Sequence, residues 1–227
     1  MEYNNTQIMS KEKIKTLFGF PIYHSSIDKK LYNKQKILKT ILSNFKKSQV
    51  RTEWSKRHEG FASNKLHHSL EDESNPKFKQ PDYNSLIPLY TSEIQNFFES
   101  MPMKKCNFKF EIVNYTCMTE GHHMMNHIHT ECDFSAIHYV QFDYKTQDST
   151  VFTNTNDYPK FIDNVYPQIS QTFISSEIEN SWIYNYFKIV VKEDDLVIFP
   201  AMLEHSVPNV KSNKTRVTIV LNIKLYS

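Results

Sequence analysis

The chain has 227 residues with 27 Lys and Arg against 25 Asp and Glu, enough for one substantial domain that needs no disulfide or structural metal to hold a core. The balanced charge argues against a nucleic-acid partner bound through phosphate neutralisation, and only three glycines rule out GxGxxG and P-loop phosphate cradles. Three cysteines without a CxxC pair, a polar N-terminus without a signal-peptide core and apolar runs no longer than a strand predict a reduced, cytoplasmic protein with no membrane partner.

No repeat or linker divides the chain, so residues 1–227 read as one domain, with 1–105 as helical support and substrate-side segments and 106–227 as a β-barrel core. In KQKILKTILSNFKKSQ, Ile37, Leu38, Ile41, Leu42 and Phe45 recur at one-face helical spacing, with lysines opposite. A second helix is expected within Ser85–Ser100, presenting Leu89, Tyr90, Ile94, Phe97 and Phe98. Between them, 51–81 is polar and reads as loop with a short strand.

From Asn107 the period changes to two. FKFEIVNYTC alternates Phe108, Phe110 and Ile112 with polar residues, as a half-buried strand does. Further strands are expected over Phe134–Asp143, Phe187–Val191, Leu196–Phe199 and Arg216–Leu225. In the last, Val217, Ile219, Leu221, Ile223 and Leu225 share one face, and Arg216, Thr218, Val220 and Asn222 the other. The pattern implies a mainly β fold with N-terminal helices, an antiparallel barrel or sandwich whose interior is a polar pocket.

Five of the ten histidines lie in GHHMMNHIHTECDFSAIHYV. His127 and His129 are two apart, so on an extended strand they project from one face and make a plausible transition-metal site. A third ligand is best sought at His205, after a strand and a proline turn in LVIFPAMLEHSVPNV, which a barrel can bring beside the first strand. A lone HxH is more often surface or satisfied core histidine, and nothing in the spacing of His122 and His123 marks them as ligands. Zincin HExxH and structural-zinc CxxC pairs are absent. The assembly of HxH, a following strand, FPxxxxH and then Arg216 is what favours a metal site.

With these residues in order, the chain resembles the iron(II)- and 2-oxoglutarate-dependent oxygenases of the double-stranded β-helix (jelly-roll, cupin-like) superfamily, more narrowly a prolyl-hydroxylase-like group of marine bacteria and their phages. LFGFPIY resembles an opening Leu-Phe and Pro segment, and HEGFASNKL a Gly-aromatic-x-Ser stretch before a Leu. GHHMMNHIHTECDFSAIHYV, DDLVIFPAMLEHSVPNV and RVTIVLNI resemble the two metal motifs and the arginine-initiated last strand. The resemblance implies Fe(II) and 2-oxoglutarate as cofactors, with hydroxylation of a small-molecule or peptide substrate and release of succinate and CO2. It implies His127 and His205 as iron ligands, Arg216 as the fork for the far carboxylate of 2-oxoglutarate, and Thr218 as its helper. His138, eleven residues past His127, matches a position that contacts the cosubstrate in some relatives.

One position departs from the family. His129 stands where the superfamily usually carries Asp or Glu, so a three-histidine site, a carboxylate from Asp133 or Glu131, or two protein ligands with water remain open. Halogenation is disfavoured, because histidine leaves no room for halide there. A cupin-type metal-dependent dioxygenase or metal-binding protein that does not use 2-oxoglutarate is the alternative, and a barrel kept as a non-catalytic binding module a further one. Arg216 favours the oxygenase. The substrate and any homodimer are left open by the sequence.

Overall fold

A computed structural model describes residues 14–17, 19–47, 67–68, 77–101, 106–156, 165 and 185–226. The HEGFASNKL stretch, much of the segment read as loop between the helices and most of 157–184 lie outside the described residues. Among the described residues no helix is long and apolar enough to cross a membrane.

Among the described residues, eleven strands form two antiparallel sheets. The larger runs β1 (Ile14–Leu17), β2 (Phe20–Ser26), β9 (Asp195–Pro200), β6 (Phe134–Gln141), β11 (Arg216–Tyr226), β4 (Asn107–Met118) and β3 (His67–His68). The smaller runs β5 (Met124–His127), β10 (His205–Val207), β7 (Val151–Thr153) and β8 (Tyr186–Lys188). This is a double-stranded β-helix with, among the described residues, two helices against it. The N-terminal part is less helical than its sequence suggests, because β1 and β2 extend the larger sheet through pairing of Tyr23 with Ile198. Of the strand expected over 187–191 only Phe187 and Lys188 pair, together with the preceding Tyr186, with β7.

The helices cover one face of the larger sheet. Helix α1 (Lys34–Lys47) buries Ile37, Leu38 and Ile41, and α2 (Ile87–Glu99) buries Tyr90, Ile94 and Phe97. They pack on Val217, Ile219, Leu221 and Ile223 of β11, and each buried aliphatic chain is worth roughly 1.5–3 kcal/mol. Polar ties fix the docking: Tyr23 Oη donates to Glu93 at 2.7 Å, and Asn44 Nδ2 donates to Tyr115 Oη at 2.8 Å. A second apolar cluster, including Ile22, Tyr139, Phe152, Val197 and Phe199, fills the opposite face toward the small sheet.

One irregularity positions the site. Val220 of β11 pairs with Asn114, but Leu221 pairs with Ile112, leaving Val113 as a bulged extra residue in β4. Before the bulge Phe108, Phe110 and Ile112 pack toward the helices; after it Tyr115 and Cys117 do. Unbroken alternation would have turned Asn114 and Thr116 into the apolar core. The bulge reverses the phase, and both line the cavity between the sheets.

Candidate metal centre and active site

The cavity between the sheets is about 310 Å³, within the size range of small-molecule sites. Its wall on β11 is Arg216, Thr218, Val220 and Asn222, the polar face legible in the sequence, and Asn114 and Thr116 of β4 continue it. On the small sheet, His205 of β10 is the direct register partner of His127 on β5. His129 follows on the irregular segment 128–133 that crosses to the larger sheet, its amide donating to the Ala201 carbonyl at 2.9 Å. The ligand atoms of His127, His129 and His205 all lie within 4.8 Å of one another.

Two of these rings have their tautomer set by the backbone. The Nδ1 of His127 lies 2.9 Å from the Met125 carbonyl, and that of His205 lies 2.9 Å from the Leu203 carbonyl. A carbonyl only accepts, so both Nδ1 atoms carry the proton and the ring lone pair resides on Nε2. Backbone orientation of this kind accompanies metal-binding imidazoles generally. Burial holds His127 below its ordinary pKa and His205 well below, while His129 is pushed down to about 4 by burial and by His127 beside it. Near neutral pH all three are uncharged imidazoles, the form that binds a transition metal.

Arg216 is only 1% exposed. Its Nη1 donates weakly to Met118 Sδ at 3.7 Å, and its guanidinium carbon sits 5.2 Å from the centre of the Tyr139 ring. Among the described residues its Nε and Nη2 make no hydrogen bond of good geometry, and the nearest polar side chain acting on it is Tyr139. Burial lowers its pKa below the ordinary value, as expected of a cation without a counter-charge. A guanidinium stays protonated nonetheless, so the cavity holds an uncompensated buried cation with two unused donors, a fork suited to a carboxylate. Thr218 Oγ1 lies beside it on the strand and 2.7 Å from Thr116 Oγ1. The residues present therefore fit both iron and an acidic cosubstrate.

Two sequence-based candidates point elsewhere. His138 pairs with Ile219 on β11 and faces the helices, so it lies on the opposite side of the sheet from the cavity. Its Nδ1 is 2.8 Å from Tyr90 Oη, and burial pushes its pKa down to about 3. The eleven-residue spacing lands on the helix-side face of β6; Tyr139, one residue on, is the side chain beside Arg216. Asp133 does not turn back toward the imidazoles either. Its Oδ2 accepts from the Leu225 amide at 2.8 Å and its main chain bonds Ile223 and Ala201, tying the crossing segment to the larger sheet. Glu131 does line the cavity, at its exposed mouth. His122 is buried in the turn after β4, where its Nδ1 accepts from the Thr119 amide, and Gly121 supplies the left-handed backbone (φ 81°) of that turn.

Sequence spacing missed Tyr139, Thr150, Thr116 and Asn114. The Tyr139 hydroxyl donates to Thr150 Oγ1 at 2.9 Å and accepts from the Thr150 amide at 3.1 Å, which fixes the ring under Arg216. Thr116 was recoverable in principle, as the residue opposite Thr218 once β4 and β11 are paired.

A double-stranded β-helix that presents clustered imidazoles and a buried arginine to one cavity is the architecture of the iron(II)- and 2-oxoglutarate-dependent oxygenases. Over residues 114–222 the chain matches the family described as "Putative 2OG-Fe(II) oxygenase". It is a 2-oxoglutarate-dependent oxygenase whose cofactors are Fe(II) and 2-oxoglutarate. No curated protein matches the chain. Among solved structures it is similar to EvdMO1 with 9% identity and a TM-score of 0.50, covering 89% of this chain and 46% of that one, a likeness of fold. It is also similar to a prolyl hydroxylase from Trichoplax adhaerens in complex with a hypoxia inducible factor peptide fragment, with 13% identity, 91% and 83% coverage and a TM-score of 0.48. A viral collagen prolyl hydroxylase from Paramecium Bursaria Chlorella virus-1 gives 12% identity, 88% and 95% coverage and a TM-score of 0.44.

Proposed function

We propose that His127, His129 and His205 hold the iron, that Arg216 with Thr218 binds the far carboxylate of 2-oxoglutarate, and that the enzyme hydroxylates a C–H bond of a small molecule or peptide. The observation that carries this reading is the Arg216 guanidinium, buried and unpaired in the same cavity as the three imidazoles. When bound, iron with 2-oxoglutarate would supply O2 cleavage, one oxygen atom entering succinate as CO2 is lost and the other entering the substrate C–H bond as hydroxyl. The protein's share is placement. The Met125 and Leu203 carbonyls orient two imidazoles, Tyr139 and Thr150 hold the guanidinium, and the apolar wall from Phe152 and Phe199 keeps water from the imidazole side. His138 stays on the helix side as a structural residue, held by Tyr90.

The test is an anaerobic titration of the protein with Fe(II) and then 2-oxoglutarate. A weak visible charge-transfer band on adding 2-oxoglutarate supports the reading. Stoichiometric iron uptake without that band, and without 2-oxoglutarate binding by calorimetry, would favour the cupin alternative.

A further inference from the structure

The cavity has a second polar end that neither metal nor cosubstrate accounts for. Asn114 on β4 and Asn222 on β11 are 9% and 8% exposed, both line the cavity, and the Oδ1 of each is buried without a hydrogen-bond partner among the described residues. Two orphaned acceptors in one small cavity are costly to leave dry, since each buried polar atom without a partner costs about 1–3 kcal/mol. The bulge at Val113 is what turns Asn114 into this position, so the backbone is distorted to present the group.

Their place relative to the rest of the site is set by the strand pairing. Arg216 lies at the start of β11 with Tyr139 beside it, and the Tyr139 hydroxyl binds Thr150 at the head of β7. His205 pairs with Phe152, two residues further along, and His129 is bonded to Ala201 beyond it. The crossing segment then reaches the larger sheet at Asp133, which bonds Ile223 and Leu225, just beyond Asn222 on β11. The order along the cavity is therefore guanidinium, imidazoles, asparagines. From Arg216 to Asn222 is six strand residues, roughly 20 Å. A cosubstrate held between the guanidinium and the imidazoles leaves the asparagine end for what is to be oxidised.

We propose that Asn114 and Asn222 recognise the substrate and that the substrate is an uncharged amide, held through its N–H groups. This rests on the oxygenase reading of the same site. The Oδ1 atoms accept and so call for N–H donors, while each carboxamide also carries Nδ2 donors, a pairing that an amide group, itself donor and acceptor, matches. Apart from the histidines, the only charged residues lining the cavity among the described residues are Arg216 and Glu131, so no cation stands at this end to receive an anionic substrate. Asn114 is opposite Val220 and Asn222 is the next residue on that face, a diagonal spacing of roughly 7–8 Å that suits successive donors of one amide-bearing molecule. Val113 and Val220 lie between them as an apolar floor for the carbon skeleton.

The test uses protein loaded with Mn(II), with and without 2-oxoglutarate, and measures binding by ligand-observed NMR and calorimetry. The probes form two arms, acetyl amino-acid N-methylamides and capped pentapeptides, each compared with an ester in which one N–H is replaced by oxygen. At least one amide is expected to bind about tenfold tighter than its ester, the worth of one hydrogen bond to a buried acceptor. For the ester that removes the N–H facing a given asparagine, the leucine variant of that asparagine should bind amide and ester alike, and Asn222→Ala serves if a leucine variant does not fold. Tighter binding in the pentapeptide arm identifies a peptide, and equal binding in both arms a small amide. The proposal is overturned if no probe binds, if wild type does not distinguish amide from ester, or if the preference survives in Asn114→Leu/Asn222→Leu. Failure of 2-oxoglutarate to bind would instead sink the oxygenase reading, while the amide–ester comparison on the metal-loaded protein still decides this one.

Discussion

Replacing Arg216 by Met should separate binding from stability in opposite directions. The wild-type guanidinium is 1% exposed, and among the described residues its Nε and Nη2 make no hydrogen bond of good geometry and no carboxylate balances its charge. Without cosubstrate it is a net cost to the fold, since a buried charge is stabilising only when paired. Methionine has a similar reach and can pack against Met118 and the Tyr139 ring. The ligand-free variant should therefore melt no lower than wild type, and higher if the desolvation cost dominates. With 2-oxoglutarate at a hundred times its Kd, the wild type gains about 2.7 kcal/mol. For a domain of this size that is a rise in Tm of about 5–11 °C. Loss of a buried charge-assisted pair costs about 3–5 kcal/mol, a hundredfold or more in affinity, so at the same concentration the variant should gain about 1 °C or less. Differential scanning fluorimetry of metal-loaded protein, with and without 2-oxoglutarate, reads both quantities. A variant that loses several degrees without ligand would mean that Arg216 is a structural residue, and a variant that keeps the full ligand shift would remove it from the cosubstrate site.

Three further outcomes follow from the geometry. His127→Ala, His129→Ala and His205→Ala should each lose tight Fe(II) binding while Asp133→Ala keeps it and loses about 1 kcal/mol of stability with its bond to Leu225, and equilibrium dialysis showing the reverse for residues 129 and 133 would overturn the three-histidine centre. Because burial depresses the folded-state pKa of His129 to about 4 and of His138 to about 3, the unfolded chain binds more protons below about pH 6.5, so metal-free stability should fall as pH drops from there, by up to about 1.4 kcal/mol per pH unit for each such histidine; a Tm flat from pH 6.5 to 4.5 would contradict this. The same depression means metal should be released well below pH 6.5 rather than at it. Tyr90→Phe strips the partner from buried His138 Nδ1 and should cost about 1–3 kcal/mol with 2-oxoglutarate affinity unchanged, whereas a loss of affinity would return His138 to the cosubstrate site.

What could be read from the sequence divides along the range of the interactions involved. The faces of β11 were legible, because a period of two over eleven residues is a local pattern that burial enforces at every step. The helices were legible for the same reason. The bulge at Val113 was not, since nothing in FKFEIVNYTC marks which residue the partner strand will skip, and the bulge decides that Asn114 and Thr116 face the cavity. Strands β5, β7 and β10 are three or four residues long, too short for a period to show; they exist because pairing with one another outweighs their own weak preference. His138 illustrates the limit of spacing. Its count from His127 leads to β6, where Ala136, His138 and Val140 share the helix-side face while Ile137 and Tyr139 share the other. Residue spacing transfers a strand from a relative, and parity within that strand decides which side chain arrives.

The same reasoning explains how this chain can dispense with a carboxylate beside its first histidine. A usual 2-His-1-carboxylate set neutralises one of the two charges on the metal; three neutral imidazoles neutralise none, and Arg216 adds another positive charge in the same cavity. With a dianionic cosubstrate between them, the proposed centre would carry one net positive charge instead of none. Asp133 is near enough in sequence to have supplied the missing charge, yet its carboxylate is spent on the Leu225 amide, and its main chain fastens the crossing segment that delivers His129. Pulling it toward the imidazoles would free that segment end and move His129 with it. The carboxylate that does open onto the cavity is Glu131 at the exposed mouth, where solvent screens it and it leaves the buried excess in place. An uncompensated positive site holds a dianion more strongly than a neutral one would, and at the far end it gives an uncharged amide the advantage over a cationic amine.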